Sequence, residues 1–403
     1  MPTADIPAQR VDPTGLAAGV KRFRADASQQ TLIRGFDWPL LLAAIGLVAC
    51  SVVVLGGATK QDIAGSPHYY VMRQAIFGVV GLALMVGVSR IDYARFRDYR
   101  TQIYALLIAA NVFVLLLGAA AKGSRRWIDL GFIQVQPSEI GKVMLILTLA
   151  GFIADRMHDR HTDNIVLPVI GLTALPAVLV FLQPDLGSAM VYGVIALTLL
   201  FIAGVPWQQM TALVAVIVLL VSGVLWGAPS LGVNVLHDYQ VQRLTGFLHP
   251  SDDPTGQGFQ QNQGEIAIGA GQRVGRGADG ATQTQLNFIP EHHTDFVFAV
   301  VGESYGFAGA ALVMTLYALL IWRGLRILAL ARDQFGALIA AGVVAILMFQ
   351  TFVNVGMNIG IMPITGVTLP FMSYGGASLL SMFIALGLLQ SVAVHSRRSG
   401  APG

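Results

Sequence analysis

The chain has 403 residues, of which 55% are hydrophobic and only 12% charged, with a formal net charge of +3 and one cysteine. That balance excludes an ordinary soluble domain, because the apolar runs reach bilayer-spanning length. It also excludes an intramolecular disulfide and a cysteine metal site, and so small a basic excess gives no reason to expect a nucleic-acid partner.

Residues 1–35 carry Pro2, Pro7 and Pro13 with few large apolar side chains, and read as a cytoplasmic tail. They are not a signal peptide, since the apolar run after them is a full span without a small-residue cleavage pattern. Ten spans are expected at 36–57, 70–88, 101–119, 140–154, 165–181, 186–204, 208–228, 296–321, 335–358 and 370–394. The expected fold class is therefore all-α: a polytopic membrane protein with ten transmembrane helices and a long extracellular loop between helices 7 and 8. Pro168 and Pro176 lie in the fifth span, so kinks or buried non-helical backbone are expected there. Residues 36–394 form the membrane domain, 229–295 its long outer loop, and 395–403 a second cytoplasmic tail. With the N-terminus inside, 16 of the 25 lysines and arginines fall on the cytoplasmic side, Arg323 among them in a connecting loop, and an even span count returns the C-terminus inside.

This topology carries four polar or Gly/Pro-rich segments to one outer face: 123–139, 183–189, 229–295 and 365–378. The cytoplasmic connections, in contrast, are short and charged. A site assembled from outward loops suits a substrate that keeps a lipid tail in the bilayer. Asp295, next to the apolar run FVFAVV, is the candidate base, because partial desolvation strengthens a carboxylate as a proton acceptor. The alternative is that Thr294 or Asp295 caps the eighth span. Glu139 and Lys142, three apart on one helix face, are expected to pair. Asp185, between Pro184 and Gly187, either caps the sixth span or binds a cation. Arg125, Arg126, Lys142 and Arg243 offer positive charge, with headgroup anchoring as the alternative for the arginine pair. Trp127 either stacks on a sugar or anchors at the interface. Ser373 and Tyr374, beside Gly375 and Gly376, permit close backbone approach to a substrate. His292 and His293 match no strong metal motif and are expected in structural or hydrogen-bonding roles, so no metal ligands are assigned. Gly302, Gly306, Ala308, Gly309 and Ala310 give the eighth span a face for close helix packing, against a partner or an internal neighbour.

RRWIDLG at 125–131, QPSEIGK at 136–142, QPDLGSA at 183–189, the 243–271 segment, FIPEHHTDFVFAVVGE at 288–303 and MPITGVTLPFMSYGGAS at 362–378 occur in an order that closely resembles the SEDS family. These are peptidoglycan glycosyltransferases of shape, elongation, division and sporulation. MPITG and GATQTQLNFIPE look more like the RodA elongation branch than the FtsW division branch, although GVTLP also occurs in division-type members. GESYGF at 302–307 departs from many relatives, which carry a second acidic residue there. The resemblance implies polymerisation of lipid II into glycan strands outside the cytoplasmic membrane, with release of undecaprenyl pyrophosphate. It places the essential acid on Asp295 and an important tryptophan on Trp127. It also implies a class B penicillin-binding transpeptidase and elongation-complex proteins as partners. No tightly bound cofactor is expected, only a divalent cation, Mg2+ or Mn2+, at the substrate pyrophosphate. A lipid II flippase or a noncatalytic cell-wall scaffold are the other function classes compatible with many spans and buried charges.

Overall fold

The computed structural model describes residues 35–60, 62, 66–121, 124–129, 131, 134–158, 165–223 and 257–399. Among them, an apolar helix stands at each of the ten expected spans. These are α1 (Trp38–Ala58), α2 (Tyr69–Arg90), α4 (Arg100–Leu117), α5 (Pro137–His158), α6 (Val166–Leu182), α7 (Leu186–Ile202), α8 (Trp207–Ser222), α11 (Val297–Ala329), α12 (Gln334–Asn358) and α13 (Gly376–Ser399). Seven are long and apolar enough to cross a membrane, whereas α6, α7 and α8 are shorter. Short helices α3 (Arg95–Asp98) and α10 (Thr282–Gln285) and the 15-residue α9 (Gln257–Gly271) complete the helical set.

Burial sorts the helices into a centre and a periphery. In α5, α12 and α13, 78–89% of the span is buried, against 17% in α4, and α8 contributes no buried residue. Peripheral helices present Leu, Val and Phe outward, which a bilayer solvates without cost. The closest packing is α2 against α13, where Gly81 faces the Phe383 ring and any Cβ would collide with it.

Three departures from the sequence reading have clear causes. The 123–139 segment is not all loop: β1 (Ala119–Ala121), β2 (Ser124–Asp129) and β3 (Gln134–Val135) make a small antiparallel sheet that satisfies its backbone locally. The final helix does not stop at 394 but runs to Ser399, with His395 buried and its Nδ1 2.8 Å from the Ser391 carbonyl. Arg323 is no loop residue either. α11 continues to Ala329, and the buried Arg323 guanidinium grips Asp37, donating through Nε to Oδ1 at 2.9 Å and through Nη2 to Oδ2. Asp37 also caps α1 by accepting from Leu40 N at 3.2 Å, so one carboxylate starts a helix and neutralises a buried cation.

At the same end, Arg97 and Arg100 converge on Asp155 at 2.6 and 2.5 Å, fastening α3 and α4 to the end of α5. Tyr93 donates to Asp333 at 2.8 Å, and Asp333 caps α12 through Gly336 N. Burial and that carboxylate push the Tyr93 phenol well above the ordinary tyrosine range, so it stays a neutral donor.

α11 breaks at Gly306 (φ 62°, ψ −158°), a conformation open to glycine but strained for other residues. The segment after α9 receives the freed backbone: Phe307 N donates to Gln272 O at 2.9 Å, Ala308 N to Arg273 O, and Arg276 N to Glu303 O. Glu303, fully buried, accepts from Gln283 N, Thr284 N and the Thr284 hydroxyl at 2.7–3.0 Å. The described part of the long loop is thus a folded lid of α9 and α10 on α11. Gly302 and Gly306 are consumed by this internal neighbour.

Breaking the Asp37–Arg323 pair leaves a buried charge uncompensated. Arg323→Met is expected to cost about 3–5 kcal/mol, read as a lower melting temperature of the detergent-purified protein. Arg323→Met with Asp37→Asn, which removes both charges and keeps the cap, is expected to recover part of that loss.

Candidate functional site

The turn Ile289–Phe296 leads into α11. Glu291 O accepts from the amides of Thr294, Asp295 and Phe296 at 3.1–3.2 Å, which winds these residues tightly. Phe296 occupies the N-cap position of that helix without a side-chain capping bond. A bond to its first turn comes from α12. Asn358 accepts from Ala299 N at 3.0 Å through Oδ1 and donates through Nδ2 to Asp295 O at 3.1 Å. Asn354, one turn earlier, donates to Asp295 O at 2.9 Å and to Val367 O at 2.8 Å. The Asp295 backbone is thereby clamped by two amides from one helix face, while the residue itself is only partly buried.

The 365–378 segment docks on the same turn. Ser373 donates to Thr294 O at 2.6 Å and accepts from Leu369 N at 2.8 Å, and Tyr374 N donates to His293 O at 2.9 Å. The Ser373 hydroxyl therefore positions the turn from within the protein. Thr294 Oγ1 donates to Glu291 Oε2 at 3.0 Å. Tyr70 packs edge-on against Tyr374 at 4.7 Å between ring centres and lies 4.9 Å from the His293 ring. Asp62, which no sequence motif marked, reaches His292 from the connection between α1 and α2.

The second polar cluster surrounds the start of α7. Asp185 caps that helix by accepting from Ser188 N at 3.1 Å, and its other oxygen accepts from Gln136 at 2.7 Å and Ser138 at 3.0 Å. Capping, one of the two roles read from sequence, is thus built, and it joins the 123–139 and 183–189 segments. Lys142 and Glu139 pair as expected, Nζ to Oε1 at 2.6 Å, both buried. Gly187 abuts Val367 and Thr365 O, with room for no Cβ, and so links this cluster to the 365–378 segment. The four polar segments therefore do converge, joined in series by Gln136–Asp185, Gly187–Thr365 and Ser373–Thr294.

Arg126 and Trp127 lie half-buried on β2. Arg125, on the same strand, pairs with Ala120 of β1, and its side chain is outside the described residues, as is Arg243 altogether. The residues missed from sequence, Asn354, Asn358, Ser51, Gln74 and Asp62, share one signal where they are helical. They are isolated polar side chains inside apolar spans, which are rare without a partner.

A family model described as "Cell cycle protein", FTSW_RODA_SPOVE, matches residues 36–398. The chain belongs to the FtsW/RodA/SpoVE family. Within it, the peptidoglycan glycosyltransferase MrdB of Escherichia coli K12 is 38% identical over 362 residues, covering 90% of this chain and 94% of that protein. A solved structure titled for the coordination of polymerization and crosslinking by a peptidoglycan synthase complex superposes with a TM-score of 0.75. It is 30% identical, across 90% of this chain and 98% of that one. The crystal structure of the rod shape determining protein RodA from Thermus thermophilus gives a TM-score of 0.65 at 27% identity, across 91% and 98%. This FtsW/RodA/SpoVE member is thus an integral membrane protein of RodA type, and its site residues stand on a shared helical scaffold.

Removing Asn358 deprives the Ala299 amide of its acceptor and Asp295 O of one donor. Asn358→Ala is expected to lower stability by about 1–3 kcal/mol, measured as a melting shift in detergent. An unchanged melting temperature would mean that the asparagine pair does not hold this turn.

Proposed function

We propose that this chain is a membrane-embedded peptidoglycan glycosyltransferase that polymerises lipid II, with Asp295 as the base. The observation that carries the reading is the linking of four polar segments in series, ending at the clamped turn of Asp295, at one end of an apolar bundle. The acceptor 4-hydroxyl attacks the donor anomeric carbon, and the bond to the pyrophosphate oxygen breaks. Asp295 takes the hydroxyl proton. A single displacement converts the α-linked donor to a β-1,4 glycan, so the enzyme is inverting. Undecaprenyl pyrophosphate leaves as an anion and needs positive charge rather than an acid. Lys142, Arg126, Arg125 and Arg243 are the groups assigned to it, with Trp127 and Tyr374 against the sugars. A Mg2+ or Mn2+ ion carried by the pyrophosphate would add charge neutralisation. The Asp185 and Glu139 carboxylates are already bonded to protein donors, which favours an ion that arrives with its substrate. An apolar groove of about 310 Å³, lined by Ile140, Val143, Met144, Leu147, Ile103 and Ile384, has the chemistry of a polyprenyl chain.

In this reading both termini are cytoplasmic, the site faces outward, and the role is in elongation and shape maintenance. The partner proposed is a class B penicillin-binding transpeptidase, in line with the synthase complex named above. The contact is lateral and through the late spans: α12 is mostly buried, whereas α11 exposes Phe307, Leu312 and Trp322.

Reconstitution with labelled lipid II is expected to produce muramidase-sensitive polymer. Asp295→Asn is expected to reduce it about a hundredfold or more while membrane insertion persists. Lipid movement without polymer would make the chain a transporter, and near-normal turnover of the variant would move the base elsewhere. Photo-crosslinkers at Phe307, Leu312 and Trp322 are expected to capture the transpeptidase in native membranes, and those at Leu167 and Leu219 are not. Equal capture from both sets would refute this contact face.

A further inference from the structure

We propose that Asp62, His292 and His293 form a binding site for a divalent transition-metal ion of the zinc class, separate from any ion that accompanies the pyrophosphate. The inference starts from the protons of one imidazole. His292 Nδ1 lies 2.9 Å from the Ile289 carbonyl, which only accepts, so Nδ1 carries a proton. Nε2 lies 3.1 Å from Asp62 Oδ2, a second acceptor. A neutral ring has no proton left for that contact. It would set a nitrogen lone pair against a carboxylate in a place where the His292 and Asp62 side chains are only 3% and 12% exposed. The contact therefore needs either a second ring proton or a cation between the two atoms.

The surroundings favour the cation. His293 supplies a second imidazole, and one ligand atom from each of the three residues lies within 4.8 Å of the others. A tetrahedral ion with bonds of about 2.0–2.2 Å holds its ligand atoms roughly 3.4 Å apart, so the His292–Asp62 pair, at 3.1 Å, needs only to open slightly. The Ile289 carbonyl bonded to Nδ1–H is the outer partner that orients a metal-binding imidazole and leaves Nε2 for the ion. Two imidazoles and one carboxylate suit zinc and its neighbours far better than magnesium or calcium, which take oxygen ligands. Three protein ligands leave a fourth position for water. Asp62 lies 230 residues from His292 in sequence, so no spacing motif announces the set. An ion here ties the α1–α2 connection to the turn that ends at Asp295, and it acts as a positioning element outside the reacting groups.

The test uses the full chain in detergent, stripped with chelator and titrated with Co2+ and then Zn2+ in the absence of lipid II. Its outcome is therefore independent of the glycosyltransferase reading. One equivalent of Co2+ is expected to give the intense visible absorption of a four-coordinate site, and Zn2+ is expected to displace it. Asp62→Asn and His292→Gln are each expected to weaken binding at least tenfold. X-ray absorption at the zinc edge of the wild-type protein, which does not depend on a variant folding, is expected to count two imidazoles. Failure to take up either ion, or zinc without imidazole ligands, would overturn the site and leave His292 as an imidazolium paired with Asp62. Undiminished binding in the Asp62→Asn/His292→Gln double variant would also overturn it.

Discussion

A backbone amide or carbonyl inside an apolar bundle has no water to bond, so every departure from helix must be met by the protein itself. That constraint shapes the whole polar end of this molecule. Between Ile359 and Gly375 the chain runs without regular structure, and four of its carbonyls accept from side chains on apolar helices. Asn354 serves Val367, Tyr317 serves Pro370, Ser51 serves Met372, and Gln74 reaches Ser373. The helix break at Gly306 follows the same rule, with the segment after α9 taking the place of the missing turn. A polar residue in a span is thus a receipt for irregular backbone nearby.

The same rule separates charge clusters that are closed from one that is left open. Asp37 and Arg323 interlock through two bonds, and the Asp37 carboxylate also caps a helix, so the pair is a closed unit. Glu303 closes its own unit with three donors from α10. Glu139 and Lys142 differ: they share one short bond, and Glu139 Oε2 is buried without a hydrogen-bond partner. A buried acceptor left open costs about 1–3 kcal/mol, and native structures keep few of them. Its position one residue from Ser138, which bonds Asp185, puts the open acceptor in the polar end of the bundle. The tightly wound turn of Asp295 lies across the 365–378 segment from it. A rigidly held carboxylate and an incompletely satisfied ion pair are the two features that the proposed pyrophosphate-releasing transfer would use.

Much of this was legible along the chain. Runs of apolar residues imposed the helices, and the order of the polar strings gave the family. The Glu139–Lys142 pairing followed from helical spacing alone, and capping was one of two roles open to Asp185. Arg323 was misplaced because a basic residue just past an apolar run looks like a loop. Only a partner 286 residues away makes a buried position tolerable. The Asn358 contact with the first turn of α11 was invisible for a related reason: local capping rules see Thr294 and Asp295 but not an asparagine on another helix.

Sequence by itself determined the solvent this protein lives in, its helical elements and its family, and it marked Asp295 as the candidate acid, because hydropathy and motif strings can be read directly along the chain. Tertiary structure alone decided which polar residues hold that acid in place, which ion pairs are closed and which are left open, and that Asp62 meets the two histidines. Those relations depend on distances between segments tens to hundreds of residues apart. In an apolar bundle, the cost of an unmet polar group is what selects them.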